Sequence, residues 1–278
     1  MPPTVKRQNP TGDKVSKGGL RDRMIPVGDI KKGMRVCIYG IPKSGKTRIA
    51  CTFPGKKLIL GFEDGTSSVS TSKDTIWLPI TSSDEFKEGL VIAVEDKFDS
   101  VILDEASGFR MVLLKEQLGL LNVPVQLTWA MAKKQDWGAV AGNFKENVND
   151  FFKLASTHGK NMIVLSHENN LTSEEEMIQG IPGMMGPSLG KASALWLNGA
   201  VDYLCQTYIR EKMEYKEQVI NGVKKTTSKS TGKSEYMLRI VSHEKSMVGF
   251  RMPLGSKEPE EDIADPSYEK IRAVIEGK

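Results

Sequence analysis

The sequence predicts an α/β protein: a mostly parallel sheet with helices on both faces, followed by a C-terminal β-hairpin extension. Three observations carry this. From Met34 onward, short apolar runs alternate with helix-length segments. A glycine-rich loop, Gly40–Thr47, stands between the first such run and the first helix. After Tyr208 the alternation stops, and two strand-like runs flank a polar stretch opened by Asn221-Gly222, a hairpin-turn pair.

Met34–Tyr39 reads as a strand ending at the glycine loop, and the helix after that loop stops at Pro54-Gly55. Leu58–Phe62 and Ile76–Ile80 are further strands. Ser82, with Glu85 three residues on, predicts a capping box and a helix reaching about Glu95. Val101–Asp104 is an apolar strand closed by a carboxylate. From about Gly138 to His158 the spacing places Phe144, Val148, Phe151, Phe152 and Ala155 on one side of a helix. Met162–Ser166 and Ala200–Gln206 are two more strands. Met213–Ile220 and Glu235–Val241 form the hairpin, and Glu258–Lys278 begins acidic and ends helical. No internal repeat is visible.

Composition narrows the setting. The 278 residues are 39% hydrophobic and 27% charged, as in soluble globular proteins. There is neither an apolar run able to cross a bilayer nor a signal-peptide core, so a cytoplasmic protein with no membrane partner is expected. The three cysteines, Cys37, Cys51 and Cys205, sit in apolar segments at spacings that suit neither zinc nor disulfides. Net charge is +4. The first 25 residues hold Lys6, Arg7, Lys14, Lys17, Arg21 and Arg23 against Asp13 and Asp22, which accounts for the whole excess. That arm reads either as a solvated tail or as a contact for nucleic acid or a neighbouring subunit, and composition favours the tail.

The chemistry centres on the glycine loop. Gly40-Ile41-Pro42-Lys43-Ser44-Gly45-Lys46-Thr47, with Arg48 next, is a complete Walker A motif in the strand–loop–helix context it requires. Backbone N–H groups of such a loop cradle phosphates, Lys46 reaches the outer phosphates, and the Thr47 hydroxyl ligates magnesium. ATP and Mg2+ are therefore the expected ligands. Asp104, closing an apolar strand, fits Walker B and would hold magnesium through its water shell. Two glutamates compete to activate the attacking water: Glu63 after the second strand, and Glu105 directly after Asp104. His167 stands at a strand end, where a γ-phosphate sensor would be.

This order of elements resembles the RecA core, and among short proteins most resembles the RecA-like single-strand annealing proteins of the phage Sak group. The likeness spans roughly Gly33 to Met252. It runs through Leu60-Gly61-Phe62-Glu63, Phe98–Asp104, the Gly/Pro/Met-rich segment Gly180–Gly190 and Val201-Asp202-Tyr203. Asp104-Glu105 departs from the usual Asp-Ser. The resemblance implies that Glu63 is the catalytic glutamate, with Glu105 the alternative, and that Lys245, near Phe250, reaches a neighbour's ATP. It also implies two DNA-binding loops, about Gly119–Trp137 and Glu168–Lys191, offering Trp129, Lys133, Lys134, Met184, Met185 and Lys191. The expected partners are single-stranded DNA, further copies in a filament or ring with ATP at subunit junctions, and a single-strand DNA-binding protein. The chain then divides into a basic arm (1–25), a RecA-like ATPase core (26–210), a β-hairpin extension (211–257) and an acidic tail with a helix (258–278). The function implied is ATP-dependent annealing or strand exchange in phage-type recombination, with slow, DNA-stimulated hydrolysis in the host cytoplasm. An AAA-type motor or loader is a second reading, suggested by Asp104-Glu105, and an ATP-gated scaffold with negligible turnover a third.

Overall fold

The first strand, β1 (Arg35–Gly40), leads through the glycine loop into α1 (Lys46–Ala50). There follow β2 (Lys57–Gly61), β3 (Thr75–Pro79), α2 (Ser83–Glu95), β4 (Ser100–Asp104), α3 (Ala106–Gln117), α4 (Val125–Met131) and α5 (Lys134–Thr157). The second half runs β5 (Asn161–Asn170), α6 (Glu174–Ile178), β6 (Met185–Pro187), α7 (Lys191–Ala200), β7 (Tyr203–Ile220), β8 (Val223–Arg239), β9 (Gly249–Phe250), β10 (Ile263–Ala264) and α8 (Tyr268–Ile275). The computed structural model describes residues 24–26, 32–63, 70, 72–120, 122, 124–220 and 223–278. Residues 1–31 form a unit by themselves, in which 24–26 have no regular structure. The arm's charged residues at 6–23 and the Asn221-Gly222 turn lie outside the described residues.

The sheet order is β10-β8-β7-β1-β5-β4-β2-β3. From β7 to β3 every neighbouring pair is parallel, whereas β7–β8 and β8–β10 are antiparallel. Insertion of β5 between β1 and β4 brings the ends of five segments to one rim. Gly40 pairs with His167 on one side and Thr207 on the other, and Gly61 pairs with Asp104. Ligands of open α/β sheets bind at this carboxyl end.

Both faces are covered, so β1, β2 and β4 read as near-continuous apolar runs rather than alternating ones. One face packs Cys37, Leu58, Leu60, Val101 and Leu103 against α2, α3 and α5. Its centre is aromatic: Phe109 stacks on Phe86 at 4.5 Å and on Phe62 at 4.7 Å. The other face packs Val36, Ile38, Ile59 and Ile102 against Ile49 and Phe53 after the loop, and Ile271 and Ile275 of α8. Cys37 and Cys205 are buried within the sheet, where burial pushes their thiols up, and Cys51 is half-buried; all three are free.

Several local expectations change. Ser82 does cap α2 by accepting from the Glu85 N–H, but the Glu85 carboxylate bonds Thr81 instead of Ser82, so the box is half formed. Helix α5 starts at Lys134 rather than about Gly138, because Asp136 accepts the Lys133 N–H at 2.7 Å and caps an earlier turn. Gly138 lies on the exposed side, where no neighbour penalises it. The segment expected as the first DNA loop is thus largely helical, being α4 and the start of α5. Residue 200 ends α7 rather than opening a strand. Asp202 then fixes the turn, its carboxylate taking the Arg35 guanidinium at 2.6 Å. Strand β7 runs unbroken across residue 210, so the hairpin is the outward continuation of a core strand. Among the described residues no helix is long and apolar enough to cross a membrane.

Candidate active site

The glycine loop is held in shape by its own polar groups. Ser44 donates its hydroxyl proton to the Ile41 carbonyl (2.7 Å), and its Oγ lies 2.6 Å from Thr207 Oγ1, whose hydroxyl lies 3.2 Å from the Tyr39 carbonyl. Gly40 is required by close approach, since a Cβ there would collide with the Thr207 hydroxyl and carbonyl. Gly45 caps α1 at φ 91°, a left-handed conformation that favours glycine. Ile41, Pro42 and Lys43 form the exposed lip of the loop.

Lys46 is buried, and its ammonium donates to the Gly40 and Ile41 carbonyls at 3.0 and 2.9 Å. Burial lowers its pKa, and the carboxylates of Glu105, Asp104, Glu168 and Glu63 work against that shift. A cation held by weak carbonyl acceptors among four carboxylates is poised to exchange them for phosphate oxygens. The Thr47 hydroxyl donates to Asp104 Oδ2 at 3.0 Å. Burial raises the Asp104 pKa, against the Thr47 bond and Lys46. Hydroxyl and carboxylate oxygens side by side beneath a phosphate loop are the hard donors magnesium prefers, so these residues fit the ion.

The two glutamates have different surroundings. Glu105 is 2% exposed. Its Oε1 accepts the Ser107 N–H at 3.0 Å, capping α3, and its Oε2 accepts the His167 N–H at 2.6 Å, tying β4 to β5. Burial, then the Glu63 charge, pushes its pKa up to about 7 despite those bonds. The Glu63 side chain is 52% exposed, and its Oε2 lies 3.7 Å from His167 Nε2. His167 Nε2 also lies 3.4 Å from Glu105 Oε2, while Nδ1 is buried without a partner among the described residues. Two carboxylates facing Nε2 place the imidazole proton there. Burial and then Lys46 lower the His167 pKa.

The structure therefore gathers Lys46, Thr47, Glu63, Asp104, Glu105 and His167 at one rim. Lys245 is not joined to them by any hydrogen bond or ion pair among the described residues. It is itself exposed, in the turn His243–Ser246, and its carbonyl accepts the Met185 N–H (2.8 Å). Trp129 is 58% exposed, with its indole N–H 3.0 Å from Met111 Sδ. Lys133 and Lys134 are exposed at the start of α5, and Met184 is exposed before β6. Met185 is half-buried in β6, and Lys191 is ion-paired with Glu176, which leaves both less available to a ligand.

Sequence reasoning missed the far end of the loop. A narrow cleft beside Gly45 is lined by Ser44, Arg48, Ile49, Tyr236, Asp265 and Pro266. The Arg48 guanidinium sits 5.7 Å from the Tyr236 ring centroid, and the Asp265 N–H donates to the Tyr236 carbonyl at 2.8 Å. Nothing local in the sequence links residue 236 to residue 48; only the pairing of β7 with β8 does.

This fold and rim define a P-loop ATPase. Residues 32–236 match the family model described as an AAA domain, and the chain belongs to that family. No curated protein matches the sequence.

Proposed function

We propose that the chain hydrolyses ATP with Glu63 as the water-activating base, and uses the cycle to bind and pair single-stranded DNA as RecA-like annealing proteins do. The observation that carries the hydrolytic assignment is the division of labour between the glutamates. Both Glu105 oxygens are engaged by backbone N–H groups, whereas Glu63 is open to solvent beside His167. In this reading Lys46 binds the outer phosphates, and Thr47 and Asp104 hold magnesium, which supplies positive charge to the phosphate oxygens. Glu63 takes a proton from water as the water oxygen attacks the γ-phosphorus and the bond to the ADP oxygen breaks. His167 offers its Nε2 proton to the terminal phosphate.

The DNA part rests on surface character. Leu127, Trp129 and Met131 are 58%, 58% and 56% exposed on α4, next to Lys133 and Lys134. Exposed aromatic and apolar groups beside lysines suit base stacking with phosphate contact. In this reading Lys245, exposed on its turn, reaches a neighbouring copy's nucleotide. Phosphate release with and without single-stranded DNA, together with electron microscopy of the protein on DNA with a non-hydrolysable ATP analogue, tests this reading. Stimulated release and filaments are expected. The AAA family match favours an AAA-type motor or loader as the second reading. Closed rings that form without DNA would select it.

A further inference from the structure

Glu63, Glu105 and His167 follow or lie on three neighbouring strands, β2, β4 and β5. Among the described residues they are the one trio of histidine, cysteine, aspartate or glutamate whose ligand atoms all lie within 4.8 Å of one another. His167 Nε2 stands 3.4 Å from Glu105 Oε2 and 3.7 Å from Glu63 Oε2. Both separations are long for a charge-assisted N–H···O bond, which runs about 2.7–2.9 Å.

They match the edge of a metal tetrahedron instead. Zinc bonds of about 2.0–2.1 Å to nitrogen and oxygen set neighbouring ligand atoms about 3.3–3.4 Å apart. An octahedral magnesium with bonds of about 2.0–2.1 Å would need them about 2.9 Å apart. Glu63, with its side chain 52% exposed, is free to close the small remainder. The donor set points the same way. Thr47 and Asp104 offer hard oxygens alone, whereas the trio adds an imidazole nitrogen, which suits zinc.

The trio is also held as metal ligands are. Backbone N–H groups of Ser107 and His167 fix the Glu105 carboxylate, and Oε2 keeps a second lone pair for a metal. Glu63 and His167 face solvent in part, which leaves a fourth position for water.

We propose that Glu63, Glu105 and His167 form an inhibitory zinc site, separate from the magnesium pair Thr47 and Asp104. Zinc takes the Glu63 oxygen and the Nε2 lone pair together, and the neutral imidazole then carries its proton on Nδ1. Nδ1 has no partner among the described residues in either tautomer, so the exchange breaks no bond there. Zinc binding rests on this geometry, whereas inhibition rests on the reading of Glu63 as the base.

The test titrates Zn2+ into the full chain in excess Mg2+, against a chromophoric zinc indicator, with melting curves alongside. One zinc per chain and a raised melting temperature are expected. Cobalt(II) in its place should show the intense visible absorption of a four-coordinate ion. His167→Ala and Glu63→Ala should each weaken zinc at least tenfold. Glu63→Ala removes an exposed side chain, so it keeps the test open if His167→Ala fails to fold. Thr47→Val and Cys51→Ser should hold zinc as wild type does. Turnover of saturating Mg-ATP should fall as zinc is added. No zinc binding, or binding lost in Cys51→Ser and kept in His167→Ala, overturns the site and leaves the base reading untouched. Zinc held by the trio without slowing turnover overturns inhibition, and the base reading with it.

Discussion

The Glu105 carboxylate accepts the backbone N–H of His167 at 2.6 Å, a bond between β4 and the adjacent β5 across 62 residues. It makes the residue after Asp104 a brace for the rim, and under the proposed function the water-activating task falls to Glu63. Exchanging each acid for its amide separates the roles. Glu63→Gln should lower kcat on the order of 100-fold with little change in KM and no loss of melting temperature, since an exposed acceptor charge is lost and nothing is unpaired. Glu105→Gln should cost about 1–3 kcal/mol of stability, because its NH2 group must face a backbone N–H. Steady-state kinetics beside thermal melts decide; a hundredfold loss confined to Glu105→Gln would reverse the assignment.

The same pair predicts a pH dependence. The folded-state pKa of Glu105 lies at about 7, above the usual 4.5. Between those values the unfolded chain holds fewer protons than the folded one, so this group's contribution to stability falls as pH rises, by at most about 1.4 kcal/mol per unit. Glu63 is the second cause of that shift, after burial. Glu63→Gln should therefore stabilise the protein relative to wild type at pH 7–8, and the advantage should vanish toward pH 5, where Glu105 is protonated. The Glu63 charge also supports protonated His167, so its loss acts in the same direction at low pH. Denaturant midpoints across this range measure the difference. A constant difference would mean the two carboxylates do not sense each other.

Lys46→Ala should abolish nucleotide-dependent activity, with kcat reduced on the order of 100-fold or more, while the fold persists. In the structure the ammonium bonds two loop carbonyls, acceptors that the solvent can satisfy once the side chain is gone. Equilibrium binding of a fluorescent ATP analogue is the check, and wild-type affinity would remove the loop from the phosphate site.

How far the sequence carried depends on the range of each interaction. The strands of the core and the loop Gly40–Thr47 were legible because apolar runs and glycine spacing are local signals. Lys46, Thr47 and Asp104 meet because a phosphate loop and a strand-end carboxylate are built from such signals. The resemblance favours Glu63 over Glu105 as the catalytic glutamate, but the different surroundings of the two are not legible in the sequence, since they depend on which oxygens meet the backbone N–H groups of residues 107 and 167. Tyr236 and Asp265 escaped notice because antiparallel pairing alone returns the chain to Arg48. Helix α5 starts four residues before the apolar spacing shows it, because Asp136, three residues after Lys133, caps an earlier and largely polar turn.

Under the proposed function, Trp129 of α4 and the lysines at the start of α5 separate two kinds of DNA contact. Lys133→Ala/Lys134→Ala should weaken single-strand binding and lower the log–log salt slope by about 1.4, at about 0.7 per phosphate contact on a single strand. Trp129→Ala should instead cost on the order of 1–3 kcal/mol of affinity with the slope nearly unchanged, because stacking releases no counterions. The structure makes this substitution clean. The ring is 58% exposed and its N–H meets a methionine sulfur, a weak acceptor, so little stability is lost with it. Lys134 lies inside the first turn of α5, and alanine favours helix, so the double variant should also keep its melting temperature. ATP binding should survive in both variants. Anisotropy titrations at several salt concentrations, with melting curves alongside, read out all three quantities. Folded variants with wild-type affinity and slope would take this segment out of the single-strand site and shift the search to Met184 and the chain before β6.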